Sequence, residues 1–318
     1  MIIVVCLNPA LDITHHVPVV HLGGVNRSTE VHARPGGKGV NVARVLHSLG
    51  ADVLLMGLVG GVTGAAVKTA MAQLGVPADC TPIDGETRRT FTVVDGLGDA
   101  TLFNEAGPEV RQAEFAEFRG RYVAALAGSA AVVLSGSLPP GLAAGTYAEL
   151  IEAAAAARVP VVLDTHGEAL LRGAAAGPAI VKPNLAELEH LAGRRLSAPD
   201  GGGPDRTAVT AATAHLQSIG AQAVVASLGA DGLIAATGDG RWHARPESAI
   251  SGNATGAGDA VAAALVHGLV LGRPWDDRLR HAAALGAASV AAPVAGEFSH
   301  ADYVSALSGV AVHRDEAR

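Results

Sequence analysis

Short runs rich in β-branched residues alternate with longer Ala- and Leu-rich segments along most of this chain, and that alternation narrows the folds open to it. The runs fall at 2–6, 53–58, 131–134, 159–163, 179–181, 223–227 and 232–236. Helical patterns occupy 39–49, 64–74, 112–127, 146–157, 184–192 and 207–219, and residues 260–290 read as largely helical. Strand, helix and next strand in succession imply right-handed crossovers. The expected fold class is therefore α/β, with a mostly parallel sheet covered on both faces. The 318 residues suffice for a sizeable core, and the Gly- and Pro-rich loop at 194–206 is too short to link domains. The expectation is a single domain over 1–311 followed by a charged, frayed tail at 312–318.

Two stretches do not fit the parallel core. Residues 12–34 and 86–104 carry Thr, Val, His and Arg with rough period-two patterning, as in Thr90-Phe91-Thr92-Val93-Val94. They read as antiparallel strands of a small sheet at the edge of the core, a lid. Ordinary surface hairpins would give the same signal.

Composition excludes several classes. Hydrophobic residues make up 49% and charged ones 17%, which is the balance of a globular chain, not a disordered one. A net charge of −7 without any basic run argues against a nucleic-acid partner. An acidic protein that binds phosphate must gather its few cations locally or use a metal. No apolar window is long enough to span a bilayer, and residues 1–7 read as a buried strand, so a soluble, cytoplasmic protein with no membrane partner is expected. Cys6 and Cys80 have neither metal-ligand nor redox spacing. The 13 histidines are scattered without paired metal spacing, and none is assigned as a ligand.

The segment Asn253-Ala254-Thr255-Gly256-Ala257-Gly258-Asp259 runs directly into an apolar helix pattern. Glycines let backbone approach a ligand, and the first N–H groups of a helix are free donors at the positive end of its dipole, which suits a phosphate. Asp259 has two readings. It is either a residue that stabilises the helix start or a proton acceptor for a group attacking that phosphate.

Other loops are weaker alone. Gly36-Gly37-Lys38-Gly39-Val40-Asn41 fails both the Walker A and the dinucleotide patterns, leaving a backbone suited to a small polar ligand, with Asn41 near hydroxyls. Ser135 to Gly141 follows a buried strand, but Val133 stands where the nucleophile elbow needs glycine. Asn184 and Glu187 lie three apart at a helix start, which fits a helix-capping pair or an oxygen donor set for hydrated Mg²⁺. Ser227 to Gly232 is a strand end and turn where a nucleotide could lie.

Taken in order, these loops resemble the phosphofructokinase-B branch of the ribokinase-like sugar kinases. The resemblance spans nearly the whole chain: Leu7-Asn8-Pro9-Ala10-Leu11-Asp12, Gly36 to Ala43, Glu86-Thr87-Arg88, Ser135 to Gly141, Asp164, Lys182 to Glu187, Ser227 to Gly232 and Gly256 to Asp259. It implies a ribokinase-like three-layer sandwich with a small β-sheet lid. The implied activity is ATP- and Mg²⁺-dependent phosphorylation of a phosphorylated ketohexose. Fructose 1-phosphate comes first, with tagatose 6-phosphate, fructose 6-phosphate and then an unphosphorylated sugar or nucleoside as alternatives. By the same resemblance Asp259 is the base, and Gly256, Ala257 and Gly258 hold the migrating phosphoryl group. Asp12, Gly37, Asn41 and Ser137 contact the sugar, while Arg88, Arg27 and Lys38 lie near its phosphate. Lys182, Asn184, Ser227, Gly229, Gly232 and Thr255 serve the nucleotide. Asn184 and Glu187 hold Mg²⁺ through water, and the lid pairs two subunits as a homodimer. The triplet Asn253-Ala254-Thr255 departs from that of many 1-phosphofructokinases and leaves the acceptor open. A different class, a non-catalytic sugar- or nucleotide-binding regulator, would not need Asp259.

Overall fold

The computed structural model describes residues 1–198, 203–247, 252, 254–292 and 294–315. In chain order the elements are β1 (Ile2–Cys6), β2 (Ala10–His16), β3 (Glu30–Gly36), α1 (Lys38–Ser48), β4 (Val53–Val59), α2 (Gly61–Gln73), β5 (Ala78–Pro82), β6 (Arg88–Val94), β7 (Ala100–Asn104), α3 (Gln112–Leu126), β8 (Ala131–Ser135) and α4 (Thr146–Ala156). There follow β9 (Val161–Asp164), α5 (Gly167–Ala175), β10 (Ile180–Val181), α6 (Leu185–Ala192), α7 (Arg206–Ser218), β11 (Val224–Ser227), β12 (Leu233–Thr237), β13 (Gly240–Pro246), α8 (Ala257–Val270), α9 (Trp275–Ala291), α10 (His300–Ser308) and β14 (Val310–Arg314).

The ten-stranded sheet has the order β14-β13-β12-β11-β10-β9-β8-β1-β4-β5. Its strands are parallel from β5 to β11 and antiparallel from there to β14. β1 shows why the sheet needs two helical layers. All five of its residues are buried. Because successive side chains of a strand point to opposite faces, Val4 and Cys6 enter one core with Val40, Val45, Val261 and Leu285 from α1, α8 and α9. Ile3 and Val5 enter the other core with Phe118, Tyr122, Leu150 and Leu170 from α3, α4 and α5. A strand buried on both faces reads as a continuous apolar run. Each such side chain contributes about 1.5–3 kcal/mol on burial.

The second sheet has the order β3-β2-β6-β7 and is the expected lid. It is mixed where antiparallel strands were expected: β2 pairs with β6 in parallel, between two antiparallel outer pairs. Every second residue along it (Asp12, Thr14 and His16 on β2; Thr90, Thr92 and Val94 on β6) faces a cavity between the lid and the carboxyl ends of the core strands.

The chain end differs from the expected tail. Val310–Arg314 is the edge strand β14, hydrogen-bonded in register to β13, with the Arg314 guanidinium over the Trp242 ring at 5.4 Å. Strands β5, β13 and β14 lack long β-branched runs; β13, Gly-Arg-Trp-His-Ala-Arg-Pro, is held by its neighbours and not by its own propensity. Part of the 194–206 loop, residues 199–202, lies outside the described residues, and so does the 316–318 end.

Candidate active site

The cavity, about 1410 Å³, lies where open α/β sheets bind ligands, at the carboxyl ends of the strands. Its floor is a glycine turn. Gly256, with φ of 87°, occupies the cap position before α8, and a Cβ there would come within 2.8 Å of the Ala295 Cβ. Left-handed backbone and lack of space both require glycine. α8 begins at Ala257, and the buried run Ala260 to Val266 sinks its body into the core, so its first turn, Ala257, Gly258 and Asp259, is presented to the cavity. Asp259 is 5% exposed and accepts a hydrogen bond from the Asn41 side-chain amide at 2.8 Å. Burial, and then the negative charge of Asp164, raise its carboxyl to about 7, against the opposing effect of the Asn41 hydrogen bond.

A cluster of lysines and carboxylates stands next to the turn. Asp164 ends β9 with no exposed surface. Its Oδ1 lies 3.2 Å from Lys38 Nζ and 3.4 Å from Lys182 Nζ, and Lys38 Nζ also reaches Glu187 Oε1 at 3.0 Å. Burial disfavours the Lys38 ammonium, but the charges of Asp164 and Glu187 outweigh it and hold its pKa above the ordinary lysine value. Asn184 and Glu187 form a reciprocal cap on α6. Asn184 Oδ1 accepts from the Glu187 N–H at 2.8 Å, and Glu187 Oε2 accepts from the Asn184 N–H at 2.9 Å.

This donor set fits Mg²⁺, which the sequence resemblance implies. Asp164 Oδ2 is buried without a hydrogen-bond partner, a costly state for a carboxylate oxygen. Because the side-chain oxygens of Asn184 and Glu187 are engaged in the cap and with Lys38, they fit a cation held through water better than one ligated directly. Asn184, Ser227, Gly229, Gly232 and Thr255 line the adjoining part of the cavity.

The lid end of the cavity is cationic. Asp12 accepts from Thr90 Oγ1 at 2.6 Å, and a Cβ at Gly36 would overlap its carboxylate. Gly37, with φ of 97°, caps α1 beside it. Arg88 is fixed by two carbonyls, Asn8 O at 3.1 Å and Glu105 O at 3.2 Å, and Arg34 and Arg44 also line the cavity. Glu297 joins the last two, at 3.3 Å from Arg34 Nη1 and 2.6 Å from Arg44 Nη2, while Arg44 Nη1 donates to Ala295 O at 3.0 Å.

Most residues singled out in the sequence therefore share one cavity: Asp12, Gly37, Lys38, Asn41, Arg88, Lys182, Asn184, Ser227, Gly229, Gly232, Thr255, Gly256, Ala257, Gly258 and Asp259. Lys38, expected near the sugar's phosphate, lines the cavity paired to the carboxylates of Asp164 and Glu187. Arg27 is exposed on the segment between β2 and β3 and does not line this chain's cavity. Ser137 also lies outside the lining and receives a hydrogen bond from Asn8 Nδ2 at 3.2 Å. Asn253 falls outside the described residues. Sequence reasoning gave no role to Arg34, Arg44 or Glu297 and assigned none to Asp164 beyond its place in the motif set. Arg44 follows Asn41 by three residues on α1, a helical spacing that would have put it on the same face.

A buried carboxylate at a helix-start glycine turn, a lysine–carboxylate cluster and a β lid over one cavity define a site of the sugar-kinase class. The sequence profile of the pfkB family carbohydrate kinases matches residues 7–301, and the chain belongs to that family, whose members are ATP-dependent carbohydrate kinases. It is 33% identical to the 1-phosphofructokinase of Escherichia coli strain K12 over 90% of this chain and 89% of that protein. It is 35% identical to the 1-phosphofructokinase of Xanthomonas campestris over 84% of both chains. Among solved structures, phosphofructokinase-2 from Escherichia coli in complex with potassium superimposes with a TM-score of 0.89 at 29% identity, covering 96% of this chain and 98% of that one. The fold is ribokinase-like.

Proposed function

We propose that this protein transfers the γ-phosphoryl group of ATP to a hydroxyl of a phosphorylated ketohexose, with fructose 1-phosphate as the preferred acceptor. The observation that carries this reading is the pair of chemistries that line one cavity. A buried carboxylate beside a glycine turn shares it with Arg88, which two backbone carbonyls fix, while Arg34 and Arg44 are paired to Glu297. An anionic group on the acceptor explains Arg88, whereas a neutral sugar or nucleoside does not. The 1-phosphofructokinase relatives support fructose 1-phosphate over tagatose 6-phosphate and fructose 6-phosphate.

In this mechanism Asp12, held by Thr90, and Asn41 orient the sugar hydroxyls, and Arg88 takes the sugar's own phosphate. Asp259 accepts the proton of the attacking hydroxyl as its oxygen bonds to the γ-phosphorus and the bond to ADP breaks. The backbone N–H groups of Gly256 and Gly258 would meet the equatorial oxygens, where transition-state charge accumulates, while that of Ala257 donates to Ala254 O at 3.3 Å. Lys182, buried beside the turn, supplies positive charge to the nucleotide phosphates, and Lys38 does so from its place between the carboxylates. Mg²⁺, when bound through Asp164, Glu187 and Asn184, neutralises phosphate charge. Ser227, Gly229, Gly232 and Thr255 flank the nucleotide.

Two lids pairing face to face would complete a homodimer. Val31 and Phe103, on the face of the lid turned away from the cavity, are each more than half exposed, a feature that supports a covered surface. Arg27 can serve the sugar's phosphate only across such an interface. An ADP-release assay over fructose 1-phosphate, fructose 6-phosphate, tagatose 6-phosphate and free hexoses tests the substrate. Fastest turnover at low concentration is expected with fructose 1-phosphate, and equal turnover of free hexoses contradicts the reading.

A further inference from the structure

Three side chains at the outer end of the lid carry chemistry that phosphoryl transfer does not use. His16 on β2 faces Glu30 directly across the β2–β3 pair, and His32 lies two residues further along β3, on the same face because strand side chains alternate. One ligand atom from each of the three lies within 4.8 Å of the other two. His32 Nε2 is 3.0 Å from Glu30 Oε1, and the His16 and His32 rings meet edge to face at 5.9 Å between centroids. The hairpin is closed just beyond them: the N–H and hydroxyl of Thr29 both donate to His16 O, at 2.8 and 3.1 Å.

We propose that His16, Glu30 and His32 form a binding site for a divalent transition metal of the Zn²⁺ class. Two imidazoles and one carboxylate are the donor set of open three-ligand zinc sites, and imidazole selects against Mg²⁺ and Ca²⁺, which take oxygen. Ligand atoms about 2.0–2.1 Å from a tetrahedral ion stand roughly 3.4 Å apart, so small rotations of the exposed Glu30 and the half-buried histidines close the set. His16 and His32 also line the cavity, which leaves a fourth position for water or an incoming donor. Asp12 and His16 share a face of β2 four residues apart, or roughly 13 Å at strand rise. The ion would therefore lie at the far end of β2 from Asp12, on residues other than Asp164, Asn184 and Glu187. It clips β2 to β3 and stiffens the lid. The site needs no residue of a second chain and does not depend on the proposed substrate. The sequence hides it because residues 16, 30 and 32 lack metal-motif spacing and meet only through the β2–β3 register.

The test is a Co²⁺ titration of the untagged full chain, followed by visible absorption, with Zn²⁺ and Mg²⁺ as competitors. A ligand-field band that Zn²⁺ abolishes and Mg²⁺ leaves in place is expected. The double substitution His16→Ala/His32→Ala should remove it, and Glu30→Gln should weaken Zn²⁺ binding at least about tenfold. Circular dichroism melts without metal check that the variants fold. Absence of the band, its survival in the double variant, or its displacement by Mg²⁺ overturns the proposal. If the double variant misfolds, unchanged Zn²⁺ affinity in Glu30→Gln overturns it.

Discussion

The side-chain amide of Asn41 donates to the carboxylate of Asp259 across 218 positions of sequence, at 2.8 Å in a buried setting. This contact joins the first turns of α1 and α8, each introduced by a glycine with positive φ. It favours the charged form of Asp259, opposing the burial and the Asp164 charge that hold its pKa near 7. In the proposed mechanism the base must be ionised. The rate should therefore fall as pH drops through about 7, with the loss complete below it.

Replacing Asn41 with Leu removes the donor. The Asp259 pKa should rise further, and the acid limb of the kcat/KM profile should move to higher pH, with kcat at pH 7 reduced about tenfold or more. A pH–rate series on the variant and the parent checks both, and an unmoved acid limb would separate Asn41 from the base.

Arg88→Ala tests the cationic end. A lost hydrogen bond to a charged group costs about 1.5–3 kcal/mol, which is roughly a 10- to 150-fold rise in KM for the sugar phosphate. The KM for ATP should change little. Steady-state kinetics with each substrate varied separately make the comparison, and an unaltered sugar-phosphate KM speaks against a phosphorylated acceptor.

How much of this site was legible in the sequence depends on whether a residue works through local or distant partners. The turn at 256–259 and the cap at Asn184 and Glu187 announce themselves because glycine geometry and helix starts are local. The pairing of Lys38 was not legible for the opposite reason: its partners Asp164 and Glu187 lie 126 and 149 positions away, and only the fold brings them together. The parallel core was legible from strands such as Ile2–Cys6, buried on both faces and so continuously apolar. Strands β13 and β14 were not, since their pairing is supplied by neighbouring strands and the ring of Trp242.

Glu297 ties the lid to the glycine turn, since it holds Arg34 of β3 and Arg44 of α1 while Ala295, two residues before it, packs against Gly256. Glu297→Ala leaves the 6% exposed Arg44 without its carboxylate. A loss of about 1–3 kcal/mol is expected, or a fall in Tm of several degrees, together with a higher KM for the sugar phosphate. Thermal melts with parallel kinetics measure both, and an unchanged Tm would show that the pair contributes nothing.

Gly256→Ala should cost about 1–2 kcal/mol from the left-handed backbone alone, before the approach to Ala295 is counted. The fold should survive and kcat should fall, because the N–H groups shift away from the transferring phosphoryl. Circular dichroism alongside turnover distinguishes this from unfolding.

The central claim is that Asp259 removes the acceptor's proton. The most direct measurement is single-turnover phosphoryl transfer by Asp259→Asn with fructose 1-phosphate and saturating ATP, with nucleotide affinity measured in parallel. The prediction is a fall in rate of about 10²–10⁴-fold with ATP affinity nearly unchanged. Transfer within a few fold of the parent rate would contradict it, and Asp259 would then be a helix-start residue and nothing more.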